Sequence, residues 1–485
     1  MRGAYPVEVV RAAERAVMEA VPQGALMQRA AAGLAAECVR MLRGGVYGTP
    51  VVALVGAGDN GGDALYAGAR LAGRGAAVTA VLLSPDRAHP GGLAALRAAG
   101  GRALPADSPE AGDVVAAAGL VLDGIVGIGG SGGLRPAAAT LVRAVTGEVV
   151  AVDLPSGVDA DTGAVEGDAV RADVTVTFGA LKPGLLVGAG VEHAGEVRLV
   201  EIGLDLPVPD LRVLDPADVA RLLPRPGPRD DKYTRGVVGV AAGSSTYPGA
   251  GLLSTGSAVH GGAGMVRYAA GVSGAAEYVR SRWPEAIVTE GKPSEAGRVQ
   301  AWVVGPGIGT DDAAAGLLRD VLGQDVPVLV DADGLTLLAR EPELVRSRTA
   351  PTVLTPHDRE FERVAGPVGT DRVGAARRAA AGLGVTMLLK GNSTVVASPD
   401  GVAYVNPTGT PWLATAGSGD VLSGLGGALL AGGVEPTLAA ALAAYVHGLA
   451  GSIAAGGATT SATGVLDALP DALRTVRVAA GPPVR

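Results

Sequence analysis

With a single cysteine, Cys38, in 485 residues, the chain can close no internal disulfide and build no zinc cluster of thiolates. That usage fits a reducing cytoplasm, where Cys38 reads as a small buried residue on a helix. Aromatic residues are equally scarce at 3%, so a core drawn from the 48% hydrophobic content must be packed mainly with Ala, Val and Leu. A strong positive charge is also missing. The net charge is −8, and no Lys/Arg stripe interleaved with aromatics occurs, which excludes an electrostatic nucleic-acid footprint. The opening "MRGAYPVEVVRAAERAV" lacks an apolar core followed by a cleavage site, so secretion is not expected. One run, "PTLAAALAAYVHGLAGSIAAGGATTSATGVL", is long enough to cross a bilayer. It consists mostly of Ala, Gly and Thr, has no basic flanks, and reads as two small-residue helices inside an α/β domain; no membrane partner is expected.

What is present is an alternation of strand-like runs and helices. "TPVVALVGAG", "AAVTAVLL", "LVLDGIVG", "GEVVAVDLP" and "ADVTVTFG" are the strand candidates of the first half, and their alternation with helices predicts a doubly wound parallel sheet. Ligands of such sheets sit beyond the carboxyl ends of the strands, so Asp63, Asp123 and Asp153 are expected to converge on one crevice. Between residues 204 and 235 the chain turns rich in Pro and charge, and the pattern restarts at "VVGVAAGSS". The reading is two different α/β domains in tandem, residues 1–212 and 213–485.

The turn that follows the first strand contains both Gly56-x-Gly58-x-x-Gly61 and Asn60-Gly-Gly-Asp63. The first pattern alone is a weak dinucleotide fingerprint, and the second strand has no clean acidic ribose contact after it. Backbone N–H groups at a helix start suit a phosphate, while the oxygens of Asn60 and Asp63 also suit a hard cation. Asp123 precedes a glycine loop, and Asp153 and Ser156 follow another strand; such residues serve as metal ligands, as acid/base groups, or simply as turn caps.

Taken in order, "LMQRAAAGLA", "GAGDNGGDA", "LDGIVGIGGSG", "VDLPSGVDADTG" and "ADVTVTFGALKPGLL" resemble the NAD(P)H-hydrate epimerase family over nearly all of residues 1–205. The resemblance implies a Rossmann-like fold that interconverts the R and S forms of hydrated NADH and NADPH. Asp59, Asn60, Gly61, Gly62 and Asp63 would hold the hydrate together with Gly127, Ile128, Gly129, Gly130, Ser131, Gly132 and Gly133. Asn60, Asp123 and Ser156 would coordinate potassium, and Asp153 would bind the hydrate and act as acid/base. The sequence departs from the family at Asp59, where Asn is usual, and at Ala64, where Gly is usual.

In the second half, "TAGSGDVLSGLGGALLAGG" places Gly417 and Gly419 where backbone N–H groups can cradle a phosphoryl group, with Asp420 at the helix entrance as a proton acceptor. No Gly-x-x-x-x-Gly-Lys-Ser/Thr is present, so the cradle is not a P-loop. With "KYTRGVVGVAAGSSTYPGAGLLS", "VVGPGIG", "LVDADGL", "TPHDREF" and "LLKGNSTVV", the segment resembles the ADP- or ATP-dependent NAD(P)H-hydrate dehydratase family, which is ribokinase-like, over about residues 229–470. The resemblance implies that Ala250, Gly307, His357 and Asp420 contact the hydrate. Lys390, Gly391, Asn392, Ser393, Thr394 and Gly419 would hold ADP with magnesium. "TPHDREF" departs from the commoner form, which has Pro-Gly after the histidine. His447 is assigned to helix packing, and His89, His193 and His260 receive no role.

The expectation is a cytoplasmic, homo-oligomeric repair enzyme in which the first domain epimerises the hydrate and the second dehydrates the S form using ADP, releasing AMP and phosphate. Two alternatives stand beside it. One is a ribokinase-like small-molecule kinase; the other is a first domain that only senses ligand.

Overall fold

Residues 51–55, 78–82 and 120–124 are β-branched or aliphatic runs almost without exposed positions, as strands covered on both faces require. In the computed structural model, which describes residues 1–43, 45–130, 132–271 and 274–479, they form the centre of an all-parallel sheet. The strand order is Arg102–Pro105, Ala77–Leu82, Pro50–Val55, Leu120–Gly124, Glu148–Val152, Val174–Phe178 and Glu196–Val200. Helices Ala25–Met41 and Asp59–Ala72 cover one face with Leu34, Cys38, Leu65 and Leu71, and each fully buried Leu contributes about 1.5–3 kcal/mol. Cys38 is buried as expected, and burial pushes its thiol up to about 12.

The chain divides into two compact units, Gly3–Asp210 and Leu211–Arg485, with Met1–Arg2 belonging to the second. The break falls just ahead of the join at 212/213 read from the sequence. In the first unit, the strand order reverses between Pro50–Val55 and Leu120–Gly124: the chain leaves the former for Ala77–Leu82 on one side and returns to the latter on the other. That reversal opens a crevice at the carboxyl ends.

The second unit carries a larger sheet, ordered Leu211–Val213, Ala403–Val405, Val395–Ala397, Thr386–Leu389, Thr352–Leu354, Val328–Val330, Ala301–Val304, Val237–Ala241, Met265–Ala269 and Ile287–Thr289. Seven consecutive strands from Ile287–Thr289 to Thr386–Leu389 run parallel, while Val395–Ala397 pairs antiparallel on both sides. "LLKGNSTVVAS" is therefore a hairpin, because Gly391 to Thr394 reverse the chain between Thr386–Leu389 and Val395–Ala397. The long apolar run forms Pro436–Ala455 and Ala462–Ala479, two helices as expected. The first is long and apolar enough to span a membrane, yet 72% of its most apolar window is buried against the rest of the unit.

Gly56 is the tightest point of the first crevice. Its N–H donates to the Gly124 carbonyl at 3.0 Å, and a Cβ there would lie 1.9 Å from the Ile125 carbonyl oxygen. Gly56→Ala is expected to force these strand ends apart and cost about 2–3 kcal/mol, lowering the first calorimetric transition of the full chain. An unshifted transition would show that the contact yields freely.

Candidate active sites

Four features meet at the first crevice. Gly58, at φ +138°, turns the chain into Asp59–Ala72, so that Asp59 and Asn60 occupy the first turn of the helix and Asp63 follows one turn on. Asp123 ends the neighbouring strand and is fully buried; its carboxylate accepts from Ser156 Oγ at 2.6 Å and Ser156 N at 2.8 Å. Burial pushes Asp123 up to about 6 against those hydrogen bonds. Ser156 Oγ also lies 3.1 Å from the Val126 carbonyl. The glycine loop comes against Asn60, since a Cβ on Gly127 would sit 2.9 Å from Asn60 Oδ1. Gly127 to Gly130, Gly132 and Gly133 are partly or fully exposed around the crevice, whereas Ser131 lies outside the described residues.

Asp153 follows the next strand with φ +68°, a conformation costly for any residue with a Cβ and concentrated at functional sites. Its Oδ1 accepts from Lys182 Nζ at 2.6 Å, Thr177 Oγ1 at 3.2 Å and Phe178 N at 3.3 Å. Lys182 is 1% exposed and donates in addition to Thr177 Oγ1 and the Phe178 carbonyl. Asp63 is also buried, but its Oδ1 has no hydrogen-bond partner. Burial first, then the charges of Asp153, Asp59 and Glu14, hold Asp63 well above the usual carboxylate range. The exposed Asp59 thus lies at a helix N-terminus that favours its charge, and Ala64 lies inside the helix.

The second site follows the register of its sheet. Val304, Val330 and Leu354 are paired neighbours, so the residues just beyond these strands, with those after Leu389, form one edge carrying Gly307, Asp331, His357 and Lys390. Gly307 touches the helix Pro248–His260, because a Cβ on it would lie 2.8 Å from Ala250 Cβ. Facing this edge is Ser418–Ala431, entered through Gly417 at φ +88°, with Asp420 in its first turn. Burial and then Asp331 raise Asp420 to about 7, with Lys390 opposing and Asp333 adding to the rise. Lys390 Nζ is 2.6 Å from Asp331 and 3.7 Å from Glu360. Burial works against the ammonium, but Asp331 and Glu360 outweigh it and lift Lys390 above its ordinary value.

His357 is half exposed and caps Asp358–Ala365, its Nε2 standing 3.5 Å from Glu360. Despite the Asp-Arg between them, His357 and Glu360 form a capping box in which Glu360 accepts from His357 N. Asn392 and Gly391 are exposed at the tip of the hairpin, while Arg372 donates to the carbonyls of Lys390 and Ser393.

Sequence reasoning left Lys182, Glu14, Asp331 and Arg372 without roles and assigned His447 to packing alone. His447 does more than pack: its Nε2 is 2.9 Å from the Ser418 carbonyl in the loop of Asp420, and burial lowers it to about 4, so the ring stays neutral. Glu14 lies on the same stripe of Val7–Ala20 as buried Val10 and Ala13, so a carboxylate at a core position was legible. For the lysines the signal is scarcity. The chain has only four, Lys182, Lys232, Lys292 and Lys390, among its 40 basic residues. Two of the four sit in these sites.

Comparison with known proteins agrees with this division. A profile of NAD(P)H-hydrate dehydratases matches residues 238–471, and one for the N-terminus of YjeF-related proteins matches residues 23–184. A ribokinase-like superfamily protein from Enterococcus faecalis superposes with a TM-score of 0.50 at 27% identity, covering 56% of this chain and 98% of that one. A Bacillus subtilis ADP/ATP-dependent NAD(P)H-hydrate dehydratase crystallised with ATP and Mg2+ is 30% identical, covers 54% of this chain and 97% of that one, and gives a TM-score of 0.49. The class is thus an α/β enzyme with a ribokinase-like second domain. The chain is 56% identical over 448 residues to the bifunctional NAD(P)H-hydrate repair enzyme Nnr of Mycobacterium tuberculosis, covering 91% of this chain and 92% of that one. It is 54% identical over 454 residues to Nnr of Mycobacterium leprae, covering 92% and 93%. The chain belongs to the family of bifunctional NAD(P)H-hydrate repair enzymes, with an epimerase domain followed by a dehydratase domain.

The buried Asp153–Lys182 pair yields a stability test. Lys182→Met leaves a buried carboxylate without its cation and is expected to cost about 3–5 kcal/mol by denaturant titration of the full chain. Adding Asp153→Asn should restore part of that loss. Equal stability of the single and double variants would contradict the pairing.

Proposed function

We propose that the second domain dehydrates the S hydrate using ADP and that Asp420 is its base. The observation that carries this is Asp420 itself, a carboxyl raised to about 7 at the mouth of a glycine-flanked helix N-terminus. Asp420 takes the proton of the ring hydroxyl as that oxygen attacks the terminal phosphorus of ADP. The bond to the bridging oxygen breaks with its electron pair going to AMP, and the helix N–H groups stabilise charge on the transferring oxygens. The ring carbon–oxygen bond then breaks with loss of phosphate, and a proton leaves the adjacent carbon to restore the double bond of NAD(P)H. His357, Ala250 and Gly307 frame the hydrate, Lys390 to Thr394 and Gly419 the nucleotide, and magnesium on the nucleotide phosphates neutralises their charge.

In the first domain, Asp153 is the base of the epimerisation and Asp63, which burial and neighbouring anions hold well above the usual carboxylate range, is its acid. Two carboxyl groups whose surroundings differ this way suit opposite proton transfers: Asp63 gives a proton to the departing hydroxyl, and Asp153 takes one from the water that returns on the other ring face. The loop from Gly127 to Gly133 and the turn from Asp59 to Asp63 hold the substrate. Potassium fits Asn60, Asp123 and Ser156, because the set offers an amide oxygen, a hydroxyl oxygen and a fully buried carboxylate in need of a counter-charge. Held by Asn60, Asp123 and Ser156, the ion would supply positive charge beside the Asp123 carboxylate. A cytoplasmic location accords with the lone buried thiol, and homo-oligomerisation rests on family resemblance alone.

NADH recovery at 340 nm from mixed R and S hydrate tests both roles. Asp420→Asn is expected to lower dehydration by about 10²–10⁴-fold without abolishing epimerisation, and Asp153→Ala to limit rapid recovery to the S fraction. A base must be ionised to act, so dehydratase kcat/KM should fall about tenfold per pH unit below about 7. Full recovery by Asp420→Asn would overturn the assignment. Potassium at about 100 times its Kd should stabilise the first domain by about 2.7 kcal/mol, an effect absent in Asp123→Asn.

A further inference from the structure

We propose that Asp331 is a positioning residue of the dehydratase centre, holding the Lys390 ammonium at the N-terminus of Ser418–Ala431 so that it meets the transferring phosphoryl group. Family resemblance places Lys390 among the residues that hold the nucleotide, but names neither the part it meets nor anything that aims it. The contacts here supply both.

Lys390 Nζ is 2.6 Å from Asp331 Oδ1, and the other carboxylate oxygen accepts from Ser423 Oγ at 2.7 Å. Ser423 lies in the second turn of the helix that carries Asp420, so one carboxylate ties the hairpin lysine to that helix. A Cβ placed on Gly419 would be 3.5 Å from Asp331 Oδ2 and 3.5 Å from Lys390 Nζ. Both charged atoms therefore stand against the first turn, beside the N–H groups that face a phosphoryl oxygen. Glycine at 419 leaves this approach open. The backbone is bent to serve it: Ala332, directly after Asp331, has φ +51° and ψ −118°, a strained conformation for a residue with a Cβ. Asp331 is 1% exposed, so its direction is set by packing.

In a loose phosphoryl transition state, charge spreads over the equatorial oxygens, and an ammonium fixed at that point stabilises it without reorganising. A lysine with four rotatable bonds needs such a tether. Asp331 therefore acts through Lys390 and touches neither substrate.

The inference rests on Asp420 being the base, and the test separates the two. Full-length Asp331→Asn, Asp331→Ala, Ser423→Ala and Asp420→Asn are compared, with epimerase activity and calorimetric ADP binding measured on each. Asp331→Asn is expected to lower dehydratase kcat by about 10–100-fold while KM for ADP changes by less than about threefold, with Asp331→Ala at least as impaired and Ser423→Ala showing a smaller loss of the same kind. The acidic limb of the pH profile should also move. The charged groups facing Asp420 are Asp331, Lys390 and Asp333. Removing the Asp331 charge takes away an anion that disfavours ionised Asp420 and frees Lys390 to favour it, so the limb should shift to lower pH.

A mere loss of folding would abolish ADP binding and would not move the limb. If Asp331→Asn keeps wild-type kcat and limb while Asp420→Asn is inactive, the positioning role is overturned and the base assignment stands. If ADP binding is lost in proportion to kcat across Asp331→Asn and Ser423→Ala, Asp331 is structural and the inference fails. If Asp420→Asn remains active, the base assignment fails first.

Discussion

A buried carboxylate paired with a lysine, at the carboxyl edge of a parallel sheet, is the constraint on which both sites depend. Asp153 and Asp331 each follow a hydrophobic strand directly, where burial would expel an unpaired charge. Lys182 and Lys390 meet them at 2.6 Å. Such pairs are poor sources of stability, because desolvation offsets much of the attraction. What they provide is fixed direction. Asp153 and Ala332 both adopt positive φ, so in each unit local backbone strain is tolerated where a charged group has to be aimed.

The use of lysine here has a chemical reason. Arginine carries a wide planar fork that spreads over several acceptors, whereas an ammonium is compact and can be enclosed by one carboxylate, a hydroxyl and a carbonyl, as Lys182 is. In a chain that otherwise meets its need for cations almost entirely with arginine, such an enclosure leaves a compositional trace. That trace is local evidence of geometry, and it is independent of any motif.

Much of the fold was legible because parallel sheets covered on both faces write themselves as continuous apolar runs. All five strands read in the first half are present; Asp63 and Asp153 stand close enough to feel each other's charge, while Asp123 meets the strand end after Asp153 through Ser156. The short strands Arg102–Pro105 and Glu196–Val200 were not read. They lie at the sheet edges, and their exposed positions, such as Arg102, Pro105 and Glu196, break the apolar run. The turn Lys390 to Thr394 was read for its chemistry, yet its antiparallel return was missed, because a strand of three residues carries no period long enough to recognise. What stayed illegible was the set of long-range contacts around the sites. Asp331, Ser423 and His447 meet partners distant in sequence, and only the sheet register and helix packing bring them together.

The two centres differ in how they manage protons, and that difference follows from where each carboxyl stands relative to its lysine. In the first crevice Lys182 is committed to Asp153, leaving Asp63 Oδ1 without a hydrogen-bond partner and no compensating cation among the groups that shift Asp63. Burial and three neighbouring anions then raise Asp63 above the usual carboxylate range, so a carboxyl that favours its proton stands beside a lysine-paired carboxylate. In the second, Lys390 is shared among Asp331, Glu360 and the field of Asp420, and its attraction on Asp420 is outweighed by burial and by Asp331. Asp420 is thereby left near neutrality, where a carboxyl accepts a proton in the transition state far more readily than an ordinary aspartate would. Reversible epimerisation needs proton donor and acceptor together, because the hydroxyl both leaves and returns. A phosphoryl-driven elimination needs at its first step only an acceptor, with fixed positive charge opposite to receive the phosphoryl oxygens.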